Sequence, residues 1–175
     1  MATQEGQITL TDVRLSFADL FKAKAVNDGE PRFGANFLLD KTKDQKQIKK
    51  IGDEIRRIEG AKFKGKKLPA DKVCLRDGDE KEYDGYAGML FLSAANKKRP
   101  TVVDRAKSPL TAEDGKPYSG CYVNAVVRLW AQDNNFGKRI NASLEVVQFL
   151  RDGEPFGAPA VDLDEALPDN DDEDL

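Results

Sequence analysis

The sequence predicts a mainly β protein: a small antiparallel barrel of five or slightly more strands, one inserted amphipathic helix, and an acidic tail expected to be disordered. Three observations carry that prediction. Most apolar residues alternate with polar ones at the period of two that half-buried strands require. Only one segment, Thr42 to Ile58, repeats its apolar residues at helical spacing. The last fourteen residues, Asp162 to Leu175, hold eight acids and no base, too little apolar surface to offset the entropy of ordering. The chain therefore divides into one domain over residues 1–161 and a tail over 162–175. The body is long enough to bury a core without metal or disulfide staples.

The elements follow in order. Ile8 to Phe17 reads as a strand, with Ile8, Leu10, Val13, Leu15 and Phe17 on its apolar face; the phase slips near Asp12, which predicts a bulge. After a loop ending at Glu30-Pro31, Arg32 to Leu39 forms a second strand with Phe33, Ala35, Phe37 and Leu39 facing one way. In the helix, Ile48, Ile51, Ile55 and Ile58 make one stripe, and Thr42 with Gln45 makes a capping box. Its other face is basic and runs into the loop Gly60 to Lys67. Tyr86 to Ala95 reads as a buried strand leading to Lys97-Lys98-Arg99-Pro100, with Thr101 to Asp104 continuing it past the proline. Tyr118 to Ala131 is the strongest strand, Asp133 to Gly137 a turn, and Ile140 to Phe149 the return strand. Asp152-Gly153-Glu154-Pro155 closes the domain. An OB-fold is one barrel that fits this order.

Charge narrows the function. Residues 1–161 carry 28 Lys and Arg against 23 Asp and Glu, a net +5 that the tail's eight acids turn into −3 for the whole chain. A basic body with an acidic strand attached suits a nucleic-acid binder that screens its own site. The chain has no histidine, which excludes Ser–His–Asp triads, His-assisted cysteine nucleophiles and His-bearing zinc sites. Cys74 and Cys121 are isolated, so no disulfide framework is expected. No signal peptide and no membrane-spanning apolar run stand out, and a cytoplasmic location is expected.

Strand Tyr122 to Trp130 carries the most specific local signal. Val123, Ala125, Val127 and Leu129 form an apolar face, which leaves Tyr122, Asn124, Val126, Arg128 and Trp130 on the other. Aromatic faces accept stacked bases at roughly 1–3 kcal/mol each without regard to sequence, and Arg adds cation–π attraction and phosphate contact. Lys97, Lys98 and Arg99 at a strand end, Lys138 and Arg139 with Phe136 in the next hairpin, and Arg32 with Phe33 extend this basic and aromatic pattern. Tyr86 is expected to offer a further ring. Gly60 to Lys67 nearly matches a phosphate-binding loop, but Lys67 replaces the Mg²⁺-binding hydroxyl and the segment follows a helix, so nucleotide binding is rejected. Asp77-Gly78-Asp79-Glu80 with Glu82 and Asp84 misses the EF-hand pattern at Lys81 and Glu82 and reads as a polar turn. No metal and no cofactor are expected.

With these residues in view, the chain resembles the bacteriophage single-stranded DNA-binding proteins of compact OB-fold type with an acidic C-terminal tail. The resemblance spans most of residues 7–160. It rests on Ser93-Ala94-Ala95-Asn96-Lys97-Lys98-Arg99-Pro100-Thr101-Val102-Val103-Asp104, Tyr118-Ser119-Gly120-Cys121-Tyr122-Val123 and Arg151-Asp152-Gly153-Glu154-Pro155-Phe156-Gly157, with Leu15-Ser16-Phe17 and Phe33 to Asp40 in support. It implies a barrel that coats single-stranded DNA in replication or recombination and is not an enzyme. Arg99, Tyr118 and Tyr122 are carried over as binding residues. It also implies a tail that engages replication or recombination proteins, here Asp169, Asp171, Asp172, Glu173, Asp174 and Leu175.

The expected partner is single-stranded DNA, in a bacterial host cell; phosphate chemistry alone leaves duplex DNA or RNA open. The rival reading is a self-assembling module in which basic body and acidic tail of neighbouring subunits pair, giving salt-sensitive homo-oligomers without nucleic-acid affinity. A carboxylate-dependent nuclease using Asp104 or Asp133 is a third, with nothing else in its favour.

Overall fold

The computed structural model describes residues 5–25 and 29–156. The first strand, β1 (Gln7–Lys24), bends twice. Asp12 at φ 51° breaks the register between Leu10 and Val13, the bulge its sequence predicts. Phe17, at φ 47°, makes a second irregularity that the alternation does not reveal. It rotates Phe17 off the core face, where Val13 and Leu15 suggested it would lie, and leaves it 53% exposed while Ser16 is buried.

Strand β2 (Arg32–Asp40) leads into helix α1 (Gln45–Lys62). The expected Thr42–Gln45 capping box does not form. Instead the Asp40 carboxylate accepts the N–H groups of Thr42 and Lys43, and Asp44 accepts that of Asp40. These aspartates hold residues 41–44 in a turn, so the helix begins at Gln45. Ile51 and Ile58 are buried and Ile48 and Ile55 pack beside them, each full burial being worth roughly 1.5–3 kcal/mol. At the other end, the buried Glu59 carboxylate accepts the Leu68 N–H at 3.0 Å and ties down the basic loop.

The remaining strands are β3 (Leu75–Asp77), β4 (Met89–Asn96), β5 (Thr101–Val103), β6 (Tyr122–Asn134) and β7 (Gly137–Arg151). The order is β3-β4-β2-β1-β6-β7-β5, and β4 also pairs with β7 in parallel at Ala95 and Ser143. That pairing closes β4, β2, β1, β6 and β7 into a five-stranded barrel, with β3 and β5 flanking it. Residues 101–104 do not prolong the preceding strand. Asn96 accepts the Lys98 N–H in a tight turn, and the chain re-enters as β5 along the far side of β7.

The odd positions of β6, Val123 to Leu129, are buried as expected and pack against Leu10, Leu15, Phe37, Leu92, Leu144 and Val147. Tyr86 does not open a strand; β4 begins at Met89, and Tyr86 packs with Leu38 and Phe91 in a small cluster outside the barrel. Segment Asp152 to Phe156 closes the domain by docking on Tyr118-Ser119-Gly120. Gly120 is required there: its φ is 113°, and a Cβ would lie 2.2 Å from the Glu154 carbonyl oxygen. Cys74 and Cys121 are free and buried, and burial pushes their thiols up to about 12 and about 11. No helix among the described residues is long and apolar enough to cross a membrane.

Candidate nucleic-acid interface

The outward side chains of β2 and β4 are small where the two strands meet: Gly34 pairs with Ala95 and Asn36 with Ser93. With Ala142 of β7 they floor a groove of about 320 Å³ that a polymer backbone can approach closely. Its sides are cationic. Arg32 projects from β2, Lys72 and Arg76 from the segment around β3, and Arg139 from β7, against a single carboxylate among the described residues, Asp19. Phe17 stands at the β1 side and Trp130, 41% exposed, at the β6 side.

Long-range pairing sets these positions. Val73 bridges Ile140, Cys74 N–H donates to the Ile140 carbonyl at 3.0 Å, and Ser93 N–H donates to the Cys74 carbonyl at 3.0 Å. Lys72 and Arg76 are thereby carried between β4 and β7. The Arg76 Nε–H donates to the Val73 carbonyl at 3.0 Å, which orients its guanidinium. Along the floor and on from it, Ser93 donates to Asn36 Oδ1, Asn36 Nδ2 donates to the Tyr86 hydroxyl, and that hydroxyl donates to buried Ser16. This chain of bonds fixes the polar groups of the floor.

The groove opens at both ends. Trp130 also borders a larger cleft of about 820 Å³ with Arg57, Lys62 and Arg128; Arg128 Nε lies 3.5 Å from Glu145. At the other end Arg32, Phe33, Lys24 and Glu30 line a hollow. Lys97 reaches over to Glu30 at 2.7 Å and holds that carboxyl below its usual range through their hydrogen bond. Lys98 is exposed, and the Arg99 guanidinium lies over the Phe21 ring at 5.4 Å.

Of the residues named from sequence, the structure brings Arg32, Trp130 and Arg139 into the groove itself. Phe33, Lys97 and Arg128 lie toward its ends, Lys98 and Arg99 line no part of it, and Phe136 (87% exposed) and Lys138 sit at the β6–β7 hairpin tip. Tyr86 is a correction, and Tyr118 and Tyr122 lie outside the groove. Tyr86 is fully buried in the cluster outside the barrel, where its hydroxyl holds Asn36 of the floor. Tyr118 is locked in the closing turn, its hydroxyl bonded to Asp152 and to the backbone of Gly153. Tyr122 shares the outer face of β6 with Trp130 but stands eight residues away, roughly 26 Å at strand rise. Its ring is covered by Arg151 at 3.8 Å. Asp169, Asp171, Asp172, Glu173, Asp174 and Leu175 lie outside the described residues.

Phe17, Lys72, Arg76, Asn36 and Ser93 escape sequence reasoning, since only tertiary pairing gathers them. The one usable signal was the pair Lys72 and Arg76 flanking an apolar Val73-Cys74 step. The acidic turn at Asp77 to Glu80 is a 3-10 turn in which Lys41 bridges Asp77 at 2.7 Å and Asp79 at 2.6 Å. Those bonds hold both carboxyls below their usual range.

Comparison with known proteins sets this geometry beside others. The family model described as Enterobacter phage Enc34, ssDNA-binding protein, matches residues 6–175. Putative protein p50 of Acyrthosiphon pisum secondary endosymbiont phage 1 is 48% identical over 165 residues, 89% of each chain. The single-stranded DNA-binding protein from bacteriophage Enc34, solved in complex with ssDNA, matches with a TM-score of 0.81 and 32% identity, covering 88% of this chain and 91% of that one. Bacteriophage T7 gp2.5, a single-stranded DNA binding protein, shares the fold at a TM-score of 0.55 and 13% identity, over 97% of this chain and all of the other.

Proposed function

The chain belongs to the family of the Enterobacter phage Enc34 ssDNA-binding protein, and from that premise we propose that it binds single-stranded DNA in the groove across β2, β4 and β7. The observation that carries this reading is the groove's make-up: four cations, a floor of small residues, and an aromatic ring at each side. Phosphates follow Arg32, Lys72, Arg76 and Arg139, while Trp130 takes a base on its exposed face. Such contacts discriminate little between sequences, and affinity falls with salt as counterion release loses its advantage. The protein thereby protects and organises DNA strands in the host cell during replication or recombination. Catalysis is no part of this role.

The tail completes the proposal. Its acids, among them Asp169, Asp171, Asp172, Glu173 and Asp174, are tethered to the barrel by the chain itself, at an effective concentration on the order of millimolar. They compete for the same cations. DNA displaces them, and the freed tail with Leu175 engages a replication or recombination protein.

Titration of Trp130 fluorescence with oligo-dT, at low and moderate salt, tests both parts. The full chain is expected to quench in a saturable, salt-sensitive way, and residues 1–161 to bind more tightly at low salt. Equal affinity of the two would remove the tail from the site. Absence of binding by fluorescence and by anisotropy, with salt-sensitive oligomers instead, would replace the DNA reading by self-assembly.

A further inference from the structure

Phe17 is the shared wall of two cavities. One is the basic groove; the other, about 370 Å³, lies between Phe17, Tyr83, Tyr86 and Phe156, with Glu82 and Asp84 at its mouth. Phe17 and Tyr83 are 53% and 49% exposed, with ring centroids 4.9 Å apart at 69°, and Tyr86 backs Tyr83 at 5.2 Å. Exposed pairs of large aromatics run against burial, and Phe17 reaches its position only through a left-handed backbone that bulky residues rarely adopt. The hydroxyl of Tyr86 is tied to Ser16 and Asn36, so the cavity's back wall is rigid.

We propose that this cavity receives one unstacked nucleobase from the strand held in the groove, and prefers a base with an exocyclic amino group. This inference rests on the single-stranded DNA reading and specifies one subsite within it. The cavity has room for a single base, with Phe17, Tyr83 and Phe156 as its accessible rings and buried Tyr86 behind them. Glu82 and Asp84 repel phosphate, so the backbone stays over the cations beyond Phe17 and only the base turns in. Carboxylates are acceptors only: they accept from the C4 amino group of cytosine, at the position where thymine presents a carbonyl oxygen that repels them.

The test uses the full chain and fluorescently labelled dT and dC oligonucleotides of equal length, read by anisotropy. Both are pyrimidines, so strand self-stacking contributes little to the difference. The parent is expected to bind dC roughly threefold to tenfold more tightly, the size of one hydrogen bond. Tyr83→Ala should weaken dC binding and abolish the preference. Glu82→Ala with Asp84→Ala should abolish the preference while raising affinity for dT, because repulsion of the strand is relieved. All three side chains are exposed, and a melting curve of each variant verifies that it is folded. Equal binding of dT and dC by the parent, or a preference that survives these substitutions, overturns the inference and leaves the groove reading intact. Failure of the parent to bind either oligonucleotide would overturn both.

Discussion

Replacing Arg139 by glutamine removes one of four cations lining the groove, beside Arg32, Lys72 and Arg76, and leaves the barrel wall in place. Each phosphate contact on a single strand contributes about 0.7 to the slope of log affinity against log salt. Four contacts give a slope of about −2.8, a loss of about 50-fold between 50 and 200 mM salt. With Arg139→Gln the slope falls to about −2.1 and the loss to about 18-fold over the same range. Lys50 lies on the solvated face of α1 and outside the groove, so Lys50→Gln serves as the control. Anisotropy titrations of one labelled oligonucleotide at several salt concentrations read all three slopes. The three proteins are compared as residues 1–161, so that the tail's acids do not enter the slopes. An Arg139→Gln slope equal to the parent's, or a Lys50→Gln slope reduced as much, would refute the assignment of phosphates to this groove.

Four further outcomes are expected. Tyr86→Phe removes the hydroxyl that accepts from Asn36 and donates to Ser16, and should lower unfolding free energy by about 1–3 kcal/mol in urea melts. Gly120→Ala forces a Cβ against the Glu154 carbonyl at a φ of 113° and should cost about 2–4 kcal/mol, seen as a lower melting temperature. Cys74 and Cys121 are held protonated by burial, so neither should react with a disulfide reagent at pH 8 until the protein unfolds. The sign for stability follows: a folded pKa raised from 9.0 to about 12 for Cys74 gives a contribution complete below pH 9 and lost as pH climbs toward 12. Denaturant midpoints should therefore fall across that window.

Local patterns fixed the barrel strands that alternate cleanly. In β6 the apolar phase of Val123 to Leu129 held throughout, so Trp130 came out on the correct face. The same logic failed at Phe17, because a single residue with positive φ inverts every side chain after it and leaves no compositional trace. Tyr86 was assigned to the surface for a related reason: an aromatic beside a turn is equally a wall or a plug, and only Ser16 and Asn36, on other strands, decide it. The place of Lys72 and Arg76 depends on Val73 meeting Ile140, far along the chain, which no local pattern encodes. Arg32 and Arg139 are legible because Arg32 opens β2 and Arg139 stands third in β7, strands whose direction the sequence does encode.

The antiparallel joints of the barrel run through five to thirteen residue pairs, whereas β4 meets β7 through one, Ala95 with Ser143. The groove floor crosses that seam, with Ser93 and Ala95 on one lip and Ile140 to Ala142 on the other. A polymer seated there bears on both lips at once and acts as a clasp. Opening of the empty barrel is cheapest along this line, so amide hydrogens of β4 and β7 beside it should exchange with solvent ahead of those shared by β6 and β7. Loading the groove should slow that exchange in proportion to occupancy. The strand in transit would then be, for as long as it stays, the missing rungs of the barrel's weakest ladder.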